Sequence, residues 1–116
     1  MNHVCLIGTV LRDPTTRFEG AGHQVTDFVL SVLEPSTSPE RKAYHVFIAC
    51  TSWGKSAEAC SLLQEEDQVA IVGKLTWYKR VGKCKTEHSV LCVSVKEVTV
   101  LSPVLAPVPS LAGSAN

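Results

Sequence analysis

The densest chemistry in this 116-residue chain lies between positions 74 and 85. Lys74, Lys79, Arg80, Lys83 and Lys85 occur there with no acid among them, and Trp77 and Tyr78 are interleaved. Cations neutralise phosphates, and exposed aromatic faces stack on unpaired bases; together these are the two handles of a single nucleic-acid strand. A hairpin that kept edge lysines only for solubility would need the cations and not the aromatics.

No other constellation competes. Gly54-Lys55-Ser56 carries the end of a phosphate-loop signature, but position 49, where a glycine is required, is alanine, and no α/β pattern surrounds it. His3, His23, His45 and His88 are scattered without cysteines or carboxylates at metal-ligand spacing, so no metal or other cofactor is expected. No nucleophile elbow is present, and catalysis has no support. The cysteines at 5, 50, 60, 84 and 92 are odd in number and form no Cys-x-x-Cys pair; they read as reduced, mostly buried thiols of a cytosolic protein.

The elements that must position these residues are strands. Residues 3–11, 24–33, 43–51, 68–80 and 86–101 carry apolar and β-branched runs or alternation, and Gly8 inside the first suggests a bend. Asp13-Pro14 and Gly20-Ala21-Gly22 read as turns that leave Phe18 and its neighbours in a loop between the first two strands, and residues 35–39 read as another loop. The spacing of Ala59, Leu62 and Leu63 predicts one helix over 54–63 with Ser52 as its cap. Val81-Gly82-Lys83 joins the last two strands as a hairpin. Residues 102–116 hold three prolines and no charge, which predicts a flexible tail behind a folded domain of residues 1–101. Three strands, a helix and a hairpin fit an OB-fold, a five-stranded Greek-key barrel, although another small β-barrel would satisfy the same pattern.

Charge and hydropathy add limits. Eleven basic and eleven acidic residues cancel, so any case for nucleic acid rests on local patches. No apolar run is long enough for a membrane helix, and the opening residues do not read as a secretory signal.

Motifs narrow the choice. Asn2-His3-Val4-Cys5-Leu6-Ile7-Gly8, followed by Arg12-Asp13-Pro14-Thr15-Thr16-Arg17-Phe18, resembles the opening of bacterial single-stranded DNA-binding proteins. In that family an Asn-x-Val-x-Leu-x-Gly strand leads to Asp-Pro-x-x-Arg and an aromatic. Gly22 to Val32 is similar to the family's second strand, Trp53-Gly54-Lys55-Ser56-Ala57-Glu58 to its helix start, and Val69-x-Ile71-x-Gly73-Lys74-Leu75 to its fourth strand. The resemblance covers about residues 1–102. It implies an OB-fold, single-stranded DNA as ligand and a homo-oligomer, most simply a tetramer. It also implies a cytoplasmic, nucleoid-associated bacterial protein acting in replication, recombination or repair. A primosome accessory subunit, whose main partner is another protein, is the alternative within the same resemblance.

The family places stacking aromatics six residues apart, the second directly before Gly-Lys, which carries binding over to Phe47 and Trp53. Strand parity agrees, since His45, Phe47 and Ala49 share one face while Val46, Ile48 and Cys50 form a core-like one, with Tyr44 on that second parity. The candidate interface is then Phe47, Trp53, Lys55, Lys74, Trp77, Tyr78, Lys79, Arg80 and Lys83, with Arg12 and Arg17 from the opening motif. Arg17 could instead pair with Asp13 or Glu19. Leu75 reads as core, Phe28 likewise, and either Trp77 or Tyr78 could be the stacking partner. Two departures from the family stand out. Residues 58–67 carry Glu58, Glu65, Glu66 and Asp67 with no base, and the acidic tip typical of the family's C-terminus is absent from this sequence.

Overall fold

A computed structural model describes residues 1–81 and 87–102, with main chain only at 79–81, 87, 88 and 102. Six strands and one helix run in the order β1 (Val4–Val10), β2 (Thr15–Glu19), β3 (His23–Glu34), β4 (Tyr44–Trp53), α1 (Lys55–Ser61), β5 (Gln68–Val81) and β6 (Glu87–Ser102). Pairing runs β1-β5-β6-β4-β3-β2, and an additional β1–β3 pairing closes five of the strands into a ring. The β4–β6 seam is parallel and short, Cys50 opposite Val93 and Thr51 opposite Ser94; the other pairings are antiparallel.

Alternation along each strand turns one row inward. Val10, Phe28, Leu30, Cys50, Val69, Ile71, Val93 and Val95 meet inside the ring, with Cys60 and Leu63 from the helix end. Closing the ring requires two close backbone approaches. A Cβ on Gly8 would stand 2.5 Å from the Ser31 carbonyl oxygen, where β1 passes from β5 to β3. A Cβ on Gly73 would stand 2.1 Å from the Ser94 carbonyl oxygen, beside a register shift between β5 and β6. Glycine is the residue that lets strands cross at such points.

The helix spans Lys55–Ser61, shorter than the 54–63 expected, and Ser52 does not cap it. Ser52 is buried, and its hydroxyl donates to the Thr26 carbonyl at 3.0 Å, while the Thr26 hydroxyl donates to Ala57 O at 2.9 Å. The Thr26 hydroxyl thus ties the helix to β3 and the Ser52 hydroxyl ties β4 to β3, while Gly54 takes the cap position with no side chain to offer. A second correction is β2. Thr15–Glu19, expected as a loop, pairs along β3 with all five residues exposed, so Phe18 lies on a strand and not in a loop.

The motif at residues 12–14 has a structural use. Asp13 accepts from the Glu65 amide at 2.8 Å, and Asp67 accepts from the Gln64 amide at 2.9 Å, so two carboxylates hold the turn that leads into β5. Asn2 has another, since its side-chain amide donates to Leu75 O and accepts from Leu75 N, both at 2.8 Å. A side chain thereby adds a rung beyond the Val4–Gly73 pair that begins the β1–β5 ladder. Among the described residues, no helix is long and apolar enough to cross a membrane.

Candidate nucleic-acid interface

The outer face of the β3–β4 ribbon is set by register. Ser31 stands opposite Phe47, Val29 opposite Ala49, Asp27 opposite Thr51 and Val25 opposite Trp53, with Arg17 on β2 completing the last row beside Val25. Phe47 is 61% exposed and Trp53 50% exposed, large apolar areas that a strand in a closed ring would bury if packing alone fixed their positions. The His45 and Phe47 rings stack with centroids 6.4 Å apart, and a nitrogen of His45 lies 3.0 Å from the Ser31 hydroxyl. The row predicted to face the core is graded instead. Cys50 is buried, Ile48 half-buried, and Val46 and Tyr44 exposed, because the start of β4 extends past the closed part of the ring.

The same geometry corrects Leu75, expected in the core and found 47% exposed. β1 covers β5 only as far as Gly73, and β4 touches β6 only at Val93 and Ser94, so beyond that level β5 and β6 continue as a two-stranded ribbon. Leu75, Trp77, Tyr78 and Leu91 have no third strand to cover them and all are exposed. Neither Trp77 nor Tyr78 is a core residue.

A groove of about 610 Å³ joins the base of this ribbon to β2, β3 and β4. Trp53, Trp77 and Tyr78 line it together with Arg17, Glu19 and Asp27, and Cys50 and Cys92 stand among its apolar wall residues. Burial pushes the Cys50 thiol up to about 12, with Cys60 and Cys92 adding to the shift. Burial also raises Cys60, against the lowering effect of its neighbour Ser52, and raises Cys92, which Asp27 pushes further in the same direction. The Cys50 and Cys92 thiols are therefore uncharged at neutral pH, and the charged side chains described in this groove are Arg17, Glu19 and Asp27. Arg17 is engaged already: its Nε donates to Asp27 at 2.9 Å, and its guanidinium also pairs with Glu19.

On the other side of Trp53 a second groove of about 550 Å³ holds Asn2, His3, Lys74, Ser94, Lys96 and Glu97 among its walls. The structure thus brings Trp53, Trp77, Tyr78 and Arg17 together in one groove, and Trp53 with Lys74 in the other. Phe47 lies along β4 from both, on the outer parity of Trp53. Exposed Arg12 and Lys55 line neither groove. The main chain of Lys79 and Arg80 is in β5, and their side chains, like all of Lys83 and Lys85, lie outside the described residues. Sequence reasoning did not pick out Asp27, Thr51, Thr76, Cys50 and Cys92 in the first groove or His3, Ser94 and Lys96 in the second. The outward parity of Thr51 with Phe47, and of Asp27 beside the core residue Phe28, was the signal available for two of them. Among the described residues, no three His, Cys, Asp or Glu side chains are grouped to hold a metal ion.

The sequence model of the Single-strand binding protein family matches residues 1–101. The chain belongs to that family. Among its relatives, the single-stranded DNA-binding protein of Clostridium tetani is 34% identical over 103 residues, covering 87% of this chain and 70% of the relative. Single-stranded DNA-binding protein 2 of Listeria innocua is 33% identical over 76 residues, covering 65% and 48% respectively. The single-stranded DNA-binding protein of Thermus aquaticus is 28% identical over 102 residues, covering 85% and 38%. The match covers less than half of the length of the latter two relatives. Within the single-strand binding protein family, a ring of five strands with a helix entering between β4 and β5 is the OB-fold expected from the motifs.

Proposed function

We propose that this chain is a non-enzymatic single-stranded DNA-binding protein that coats exposed strands by stacking bases on aromatic side chains and pairing phosphates with cations. The observation that carries the reading is the convergence of three exposed aromatics, Trp53, Trp77 and Tyr78, on one groove. Bases have apolar faces of any sequence, so such a platform suits a ligand bound without sequence preference. A duplex presents its base edges and hides its faces, and a groove built for faces has little to offer it. Phe47, with His45 stacked against it, extends the platform along β4. Lys55, Lys74, Lys79, Arg80, Lys83, Arg12 and Arg17 are the candidate phosphate contacts. Arg17 would have to exchange its carboxylate partners for a phosphate.

The reading includes a homo-oligomer, the tetramer that family membership makes natural. Cys5 and Ile7 support it: they stand exposed on the outward row of β1, Ile7 at 60%, where a monomer leaves apolar area to water. The test is a tryptophan-fluorescence titration with oligo-dT beside a duplex of equal length, on a sample whose mass is checked by light scattering against the 12.5 kDa of one chain. Saturable quenching by oligo-dT and not by duplex is expected, with a mass near four chains. Absence of quenching would leave an OB-fold module whose partner is a protein.

A further inference from the structure

The two grooves that meet at Trp53 differ in charge. In the first, the one cation whose side chain is described, Arg17, is held by Asp27 and Glu19, so it contributes no free positive charge. In the second, Lys74 and Lys96 stand against a single acid, Glu97, and among the described residues neither lysine forms an ion pair. Both are exposed. Lys74 lies opposite Ser94 in the β5–β6 ladder, two residues from Lys96 on the same strand. The main chain of Lys96 is also fixed relative to the aromatic site, because its carbonyl accepts from the Ser56 hydroxyl at 2.8 Å, and Ser56 lies three residues after Trp53.

A strand that stacks a base on Trp53 carries a phosphate on either side of that base. Among the described residues, the first groove offers its faces and no free positive charge, and the second offers free positive charge beside the same indole. We propose that the bound strand passes Trp53 into the second groove, and that Lys96, with Lys74, neutralises its phosphates there. Lys96 lies in no motif that marks the interface, and the inference rests on the single-strand reading above.

The experiment titrates wild type, Lys96→Gln, Lys74→Gln and the double variant with a labelled dT oligomer at several salt concentrations, using anisotropy. Lys42→Gln, an exposed lysine in the loop before β4 that lines neither groove, is the control for loss of charge alone. Each phosphate lost from a single-strand complex flattens the slope of log affinity against log salt by about 0.7. Lys96→Gln is expected to weaken binding and flatten the slope by about 0.7, the double variant by about 1.4, and Lys42→Gln not at all. If wild type binds and Lys96→Gln keeps its affinity and slope, or shifts no more than Lys42→Gln, the second groove is off the path and the single-strand reading stands. If wild type itself fails to bind dT, that reading falls and this inference with it. Circular dichroism and melting of the variants separate loss of contact from loss of fold, since exposed lysines are expected to leave both unchanged.

Discussion

The two faces of the β3–β4 ribbon are built from alternate residues of the same two strands, yet they hold opposite kinds of surface. Inward, Phe28 opposite Cys50 and Leu30 opposite Ile48 are buried or half-buried against the ring interior. Outward, Phe47 is exposed opposite a half-buried Ser31, Asp27 and Thr51 are half-buried, and Trp53 ends the row half-exposed over a buried Val25. One residue of register separates them. A strand in a closed ring therefore specifies fold and function independently, because a change on one parity leaves the other parity's neighbours in place.

The largest expected effect breaks the inner face. Leu30 is fully buried at the centre of the ring, and Leu30→Ala should cost about 2–5 kcal/mol of stability in urea unfolding, the range for large-to-small changes in a core. Phe47→Ala, one strand across and on the outer parity, should change stability by no more than about 0.5 kcal/mol. Equal losses from the two would erase the contrast between the faces.

The next effect comes from the buried Cys50 thiol that lines the first groove. Burial holds the folded Cys50 thiol at about 12, against an ordinary value of 9.0. Above the ordinary value the unfolded chain gives up this proton while the folded chain keeps it, so the folded state binds more protons. Stability is then full below about pH 9 and falls as pH rises, by about 1.4 kcal/mol per pH unit for this thiol. Urea unfolding of wild type and Cys50→Ala at about pH 8 and about pH 10 reads the difference: the variant is less stable throughout but should lose about 1.4 kcal/mol less between the two, since only the unit above about pH 9 counts. Parallel pH dependence would mean that the thiol is not sealed beneath the groove.

Much of this was legible in the residues. Alternation placed Phe28, Ile48 and Cys50 toward the interior and Phe47 toward solvent, and the hairpin that carries Trp77 and Tyr78 followed from two long apolar runs flanking a short turn. β2 was not legible, because all five of its residues are exposed and no inward row exists to produce a pattern. Leu75 failed for a different reason. Its parity continues the core row of Ile71, but burial depends on which strands cover a position, and coverage ends at Gly73. Ser52 resembled a cap in sequence because caps and buried strand-to-strand ties use the same short hydroxyl side chains. The second groove was hidden by distance along the chain. Its walls come from the N-terminus, the helix start, β5 and β6, and only the closing of the ring brings them to one side of Trp53.

The central claim is that the outer face around Trp53 binds a single strand through its base faces, and the most direct measurement is the affinity of Trp53→Ala for a labelled dT oligomer at several salt concentrations, read by anisotropy. Stacking is worth roughly 1–3 kcal/mol per base and neutralises no charge. The variant should bind about tenfold more weakly or worse, since about 1.4 kcal/mol is a factor of ten, while its salt slope matches wild type. Wild-type affinity in a folded Trp53→Ala protein would contradict the account.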